Sequence, residues 1–354
     1  PGSDLVKIVV DQNIRGIGDT FSHHGEIVLM DGSEIRREHL LETDLLIIRT
    51  TTRVNAELLA GPPVRFVGTT SIGTDHLDIP WLEANGIRWC NAPGCNADSA
   101  AQYTLSMIWL ACERLGLDLA DLSVGIIGRG NVGSRVKKLM QTLGVKSVAN
   151  DPPLSDTGVT GLVSQSEALA QKIVCLHVPL TRDGPWPTLG MIGTEQLRQM
   201  PDGAILVNTA RGNVVDGSAL VAEIRSGRLH AALDCWPGEP RLDPKLLERT
   251  VVATPHVAGY SDDGKRNGTW MVYAAFRDWA GLEPAERTDA VEGRLEFDVS
   301  ESDEALSAAL EVACFVPRHD AEMRAMIGLS PDQIAGRFDA MRKDYPFRRD
   351  FHGW

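Results

Sequence analysis

No stretch of this chain has the roughly 18 consecutive apolar residues that a bilayer-spanning helix needs, so no membrane partner is expected. Nor does it open on a basic segment followed by an apolar one, and a cytoplasmic location is expected. Positive charge is in short supply: 35 Lys and Arg stand against 48 Asp and Glu, a net −13. At that charge a phosphate backbone is repelled, which argues against nucleic acid. A small anionic substrate would need a local cluster of donors. The six cysteines contain no C-x-x-C pair, which argues against zinc ribbons and disulfide frameworks. Most read as small buried hydrophobes, and Cys95 inside APGCNA is the one to except. Internal repeats and low-complexity tracts are missing as well.

What the chain does have, over 354 residues, is room for two or three domains and a regular alternation. KIVVDQ, EIVLM, LLIIRT, VRFVGTT and IRWCNA read as strands separated by short helical segments. A long apolar-periodic helix is predicted over 97–114. A second series then follows: VGIIG, SVAND, KIVCLHVPL, AILVNTA, HAALDCW and TVVATPH. Two tandem α/β units with doubly wound parallel sheets are the expected fold. Residues 261–280 read as a helix and 281–293 as a linker. The last sixty residues look too small and polar for a large core of their own, so packing against another subunit is expected.

Within VGIIGRGNVG, Gly128, Gly130 and Gly133 match G-x-G-x-x-G between a strand and a helix. The first glycine permits the tight turn, the second admits a pyrophosphate, and the third lets helix pack on strand. The anion would rest on the amides that open the helix, starting at Asn131 and Val132. Asp151 ends the next strand, 18 residues past Gly133, near the spacing expected of a carboxylate that grips a ribose. An acid there favours NAD over NADP, so NAD is the expected cofactor.

Hydride chemistry needs a proton carrier that titrates near neutral pH, usually histidine. Of nine histidines, His76, His177 and His256 fall at or just after strand ends, where α/β sheets place their sites. His256 is the leading candidate, because Glu239 follows the preceding strand and can orient it. Arg211 follows the strand before that and offers a bidentate grip for a substrate carboxylate. Each residue alone would more often be structural; three suitable types at three successive strand ends are harder to explain that way.

The segments GTDHLD, NAPGCNA, VGIIGRGNVG, HVPLT, ILVNTARGNVVD, DCWPGEP and TPHVAGY together resemble the D-2-hydroxyacid dehydrogenase family over nearly all of residues 5–280. The resemblance implies a flavodoxin-like substrate domain made of 4–96 and 260–284. A Rossmann NAD domain at 97–259 would interrupt it. DQN, IIRTTTRVN, LTRDGPWPT and AGYSDDGKRNGT, with the C-terminal FDAMRKDYPFRRDF, resemble one subgroup of that family. That subgroup adds a small C-terminal α+β dimerisation domain, here 285–354, and oxidises a phosphorylated 2-hydroxy acid as a homodimer. Carried over by position, the resemblance makes Arg211, Glu239 and His256 catalytic. It makes Thr50, Ser71 and Tyr260 substrate contacts. Asp151, Val178, Thr209, Ala210, Arg211, Asp234 and Gly259 join the glycine turn in holding NAD. Gln102 stands where many relatives have Glu. RTTTR, residues 49–53, offers hydroxyls, amides and cations to a phosphate, or else is a polar strand edge.

Two other functions fit the same residues. One is another dehydrogenase of the family, acting on 3-phosphoglycerate, glyoxylate or hydroxypyruvate. The other is an NAD-sensing corepressor-like binding protein.

Overall fold

Five short strands, β1 (Val6–Asp11), β2 (Gly25–Met30), β3 (Leu45–Ile48), β4 (Phe66–Thr69) and β5 (Arg88–Cys90), pair in parallel in the order β2-β1-β3-β4-β5. This computed structural model describes residues 6–284, 295–296, 302–345 and 348–352. The chain divides into one unit of Pro1–Asn96 with Ser261–Glu292 and another of Ala97–Tyr260 with Gly293–Trp354.

β3 (LLII) and β4 (FVGT) are buried throughout because helices cover both faces, and this is why they read as unbroken apolar runs. The helix Asp262–Trp279 returns to this first sheet. A Cβ at Gly68 would stand 2.3 Å from the Val272 side chain, so only glycine lets the helix lie this close to β4. Phe276 of the helix then meets the Phe66 ring edge-on at 5.9 Å. The order of this sheet is the flavodoxin-like one that the sequence leads one to expect.

The second unit holds β6 (Ser123–Ile127), β7 (Lys146–Asn150), β8 (Ile173–Leu176), β9 (Ala204–Asn208), β10 (Leu229–Leu233) and β11 (Val252–Ala253). They run parallel in the order β11-β10-β9-β8-β6-β7. The chain leaves β6 for β7 on one side and returns to β8 on the other. The switch point therefore lies at the carboxyl end of β6, where the glycine turn begins.

The helix Ala97–Leu115 is buried on nearly every side. A helix apolar all round needs cover all round, and the C-terminal helices Asp303–Cys314 and Val316–Arg324 supply part of it. Leu306, Leu310, Ala313 and Val316 join its core cluster. Polar anchors fix this packing. Buried Asp320 accepts from the Ala253 amide at 2.7 Å and from Arg114 at 2.6 Å. Gln102 donates to the Phe351 carbonyl and accepts from the Phe351 amide. A glutamate in its place could accept but not donate, so the neutral amide suits this buried backbone pairing. β12 (Leu295–Glu296) and β13 (Phe351–His352) form a two-residue parallel ladder. The C-terminal segment thus finds within its own chain some of the apolar cover that its composition demands.

Burial dominates two histidines of this unit. It pushes His177 down to about 3 and, with help from Arg348 and Arg318, His319 down to about 4. Above the ordinary value of about 6.5 both are neutral, folded or unfolded, and neither affects stability. Below it the unfolded chain binds protons that the folded chain refuses, so stability falls as pH falls toward about 4. For His319 the full loss is on the order of 3 kcal/mol, at about 1.4 kcal/mol per unit. The urea midpoint should therefore drop between about pH 7 and about pH 5. The drop should be smaller in a His319→Gln variant; equal drops would show that His319 does not set the slope.

Candidate active site

The glycine turn is shaped as its spacing requires. Gly128 has φ +91, where an L side chain is strained. A Cβ at Gly133 would stand 1.9 Å from the Gly128 carbonyl oxygen, so strand and helix approach to glycine distance. At Gly130, by contrast, no atom of the described residues beyond its chain neighbours lies within 4 Å of where a Cβ would be, and the backbone faces open space. Among the described residues no side chain caps the helix Asn131–Thr142 that starts there, which leaves its first amides available to an anion. The Asp151 carboxylate is tied to the turn: one oxygen accepts from the Arg129 amide at 2.7 Å, the other from Leu154 at 3.0 Å. Beside it lies a cavity of about 320 Å³, lined by Asn150, Asp151, Pro152, Leu162 and Trp186 among others. An uncapped helix start, a clear glycine and a carboxylate next to a cavity fit an adenine dinucleotide.

On the same sheet, β9, β10 and β11 are consecutive neighbours, so the loops leaving their carboxyl ends lie side by side. They carry Arg211, Glu239 and His256. Close backbone approach joins the first two loops: a Cβ at Gly212 would stand 1.9 Å from the Trp236 carbonyl oxygen. Buried Asn208 stitches them further, donating to the carbonyls of Arg211 (3.0 Å) and Cys235 (3.3 Å). Arg211 is exposed, with one nitrogen donating to its neighbour's carbonyl on Ala210 at 2.7 Å.

The His256 Nδ1 and Glu239 Oε1 are hydrogen-bonded, and the other Glu239 oxygen accepts from the Trp236 amide at 2.9 Å. A carboxylate only accepts, so the proton of the neutral imidazole sits on Nδ1 and Nε2 keeps a lone pair for chemistry. Burial alone would raise the Glu239 carboxyl. The His256 hydrogen bond and charge, the Trp236 amide and Arg342 outweigh it and hold the group below its ordinary value.

His256 occupies the left-handed region at φ 58, unusual for a residue other than glycine. Asp234 explains how it stays there. Fully buried, its carboxylate accepts from Thr254 Oγ1 (2.7 Å), the Val257 amide (2.9 Å) and the Ala258 amide (3.0 Å). Trp236 braces the same loop, its indole N–H donating to the Thr254 carbonyl. Sequence reasoning assigned Asp234 to the cofactor alone; its work as organiser of the histidine loop rests on long-range pairing with no local signature.

The surroundings of the other candidates can be read in the same way. Val178 lies against Gly128, and the Thr209 hydroxyl meets that of Thr104 at 2.8 Å. Tyr260 packs edge-on against Tyr345, with ring centroids 5.6 Å apart. His177 is half-buried with its Nε2 out of solvent, while His76, in the first unit, pairs with Thr69 at 3.0 Å. Cys95 is buried, and burial pushes its thiol up to about 11; Cys90 is the cysteine that is only half-buried.

In the first unit RTTTR is only partly an exposed grip. Arg49 is held through two nitrogens by buried Asp11 (2.9 and 3.2 Å), which also accepts from Thr51. Thr52 is buried and donates to the Gly32 carbonyl at 2.8 Å. Thr50, Thr51 and Arg53 are exposed, and Ser71 is half-buried. Arg49 is one of three converging cations. Burial first, and then the charges of Arg15 and Arg49, lower the Lys265 ammonium below its ordinary value.

A glycine turn shaped for a dinucleotide and a carboxylate-paired histidine on one doubly wound sheet fit the class of NAD-dependent dehydrogenases. Residues 96–258 match the family described as D-isomer specific 2-hydroxyacid dehydrogenase, NAD binding domain. The chain is 41% identical to the erythronate-4-phosphate dehydrogenase of Teredinibacter turnerae, over 98% of this chain and 93% of that one. It is 40% identical to the enzyme of the same name from Marinobacter nauticus, over 97% and 92%. The solved D-lactate dehydrogenase of Aquifex aeolicus, complexed with NAD and lactic acid, superposes with a TM-score of 0.61. Identity there is 25%, over 78% of this chain and 96% of that one. The chain belongs to the D-isomer specific 2-hydroxyacid dehydrogenase family.

Proposed function

We propose that the protein oxidises the C2 hydroxyl of 4-phospho-D-erythronate to the 2-oxo acid, (R)-3-hydroxy-2-oxo-4-phosphooxybutanoate, with NAD as acceptor. The reaction would serve pyridoxal 5′-phosphate synthesis. NAD, when bound, supplies the electrophilic carbon that accepts hydride. The observation that carries the chemistry is the His256–Glu239 pair, whose geometry leaves Nε2 as the proton acceptor. His256 takes the hydroxyl proton, and Glu239 stabilises the imidazolium that results. Arg211 holds the substrate carboxylate and polarises the developing carbonyl. Thr50, Ser71 and Tyr260 contact substrate. The amides of Gly130, Asn131, Val132 and Gly133 hold the pyrophosphate, and Asp151 the ribose. Val178, Thr209, Ala210, Arg211, Asp234 and Gly259 line the rest of the cofactor site.

The choice of substrate rests on the names of the full-length relatives. The convergence of Arg15, Arg49 and Lys265 in the first unit supports it, because a phosphate dianion needs such a cluster in a chain of net −13. We further propose a cytoplasmic homodimer formed through a C-terminal domain at 285–354. Val312 and Ile327, large apolar residues exposed on this segment, support that reading.

The decisive assay measures NADH formation, or turnover with an added 2-oxo acid acceptor, on 4-phospho-D-erythronate beside 3-phosphoglycerate. Strong preference for the erythronate is expected. Preference for phosphoglycerate would overturn the substrate and keep the mechanism. Silence with both, together with an NAD-dependent change in oligomeric state, would favour an NAD-sensing binding protein.

A further inference from the structure

The last described helix, Pro331–Lys343, ends near the loop that carries His256, and it brings a cation with it. Phe338 anchors the helix in the second unit's core, and the Arg342 guanidinium carbon sits 5.9 Å over the Phe338 ring. The Arg342 Nε is buried and makes no hydrogen bond among the described residues. The guanidinium lies beside the Tyr260 side chain, which helps to hold its charge against the cost of burial. Tyr345, just beyond the helix, meets the Tyr260 ring edge-on. Arg348, fully buried, donates to the carbonyls of Tyr260 (2.9 Å) and Ala258 (2.7 Å). The three residues after Val257 are therefore gripped from the C-terminal segment through both backbone and side chain.

We propose that Arg342 is a positioning residue of the active site, fixing the Tyr260 hydroxyl for the substrate and setting a permanent positive charge beside the Glu239–His256 pair. The role assigned to Tyr260 rests on the function proposed above; the charge beside Glu239 does not. A core helix could be anchored by any apolar residue at this position. An arginine costs desolvation, and here that cost is offset by groups of the site itself. The groups that face Arg342 are Tyr260, Glu239 and Asp234, with the Cys235 thiol beside them. Those that face Glu239 are His256, Arg342 and the Trp236 amide.

Two consequences follow from the geometry. A guanidinium beside the Tyr260 oxygen polarises the phenol and makes it a stronger donor to a substrate anion. A fixed cation beside Glu239 disfavours a proton on the carboxylate–imidazole pair, which keeps the pair ready to accept one in the oxidative direction.

The test compares Arg342→Met, which keeps the apolar stem, with Arg342→Lys, which keeps the charge and loses the fork. In Arg342→Met, KM for 4-phospho-D-erythronate should rise about 10-fold, the worth of one good hydrogen bond. The acid limb of kcat/KM should move to higher pH, while NADH affinity stays within about 2-fold because the glycine turn is untouched. Arg342→Lys should restore the acid limb and recover KM only in part. The charge has a readout that needs no substrate: by NMR the His256 imidazole should take up its proton at higher pH in Arg342→Met than in the unmodified protein. If the unmodified protein ignores the erythronate, the substrate reading fails and this titration still decides the role of the charge. A native KM, acid limb and imidazole titration in folded Arg342→Met would overturn the proposal. So would a loss confined to thermal stability and NADH affinity, which would make Arg342 only a brace.

Discussion

Replacing His256 by asparagine is expected to lower kcat for 2-hydroxy acid oxidation by about 10³-fold, within the 10²–10⁴ range for a positioned acid–base group. NADH affinity should stay nearly native, because the amides of the glycine turn and the Asp151 carboxylate are untouched. Asparagine is a fairer test than alanine. His256 sits at φ 58, a region asparagine adopts readily and alanine resists, so the alanine variant adds a backbone cost to the chemical one. Both variants leave Glu239 without the imidazole hydrogen bond and charge that hold its carboxyl low, and burial then pushes that carboxyl up. Residual activity should therefore lose the acid limb that proton uptake by the imidazole gives the native enzyme. Stopped-flow hydride transfer and NADH titration together make the measurement. A variant that turns over at the native rate would remove His256 from the mechanism. One that loses NADH binding in parallel would make the residue part of the cofactor site.

The elements that the sequence made legible are those whose signals are local. Strands buried on both faces read as short apolar runs, and β3, β4, β6, β8 and β9 lie where such runs occur. The glycine turn is legible because each of its three glycines has its own steric reason. Arg211, Glu239 and His256 stand out because strand ends can be located first and polar residues found on them afterwards.

What escaped was whatever depends on partners far along the chain. RTTTR looks like a phosphate grip, yet Arg49 and Thr51 turn to Asp11 and Thr52 is buried, pairings that no local pattern records. Cys95 sits in a conspicuous motif but ends in the core. The C-terminal segment reads as an appendage in need of a partner, and what no local pattern records is that Asp320 and Phe351 also tie it to the unit that carries Glu239 and His256. Arg342 lies in a segment whose charged composition looks like solvated surface, and only the folded chain sets it beside Glu239.

Asp234 gives the second large expected effect, and Asp234→Asn separates its two possible duties. Three donors converge on this carboxylate: the Thr254 hydroxyl and the amides of Val257 and Ala258. Asparagine has nearly the same shape but only one acceptor atom. If its oxygen serves Thr254 and Val257, its NH2 confronts the Ala258 N–H. If it flips, it confronts the Val257 N–H. Either way at least one fully buried amide is orphaned at about 1–3 kcal/mol, and the charge-assisted character of the remaining bonds is lost. A total near 3 kcal/mol should lower Tm by roughly 6–12 °C at 2–4 °C per kcal/mol for a unit of this size. The same change frees the loop that holds His256 in its left-handed conformation, so kcat should fall about 10²-fold by misplacement alone. If Asp234 acts mainly as organiser, Tm and kcat drop while NADH affinity changes little. If it acts mainly on the cofactor, NADH affinity drops and Tm is spared. The buried position and the three short hydrogen bonds favour the first outcome, since both carboxylate oxygens are already engaged by the loop. A native melting curve for Asp234→Asn would refute the organising role.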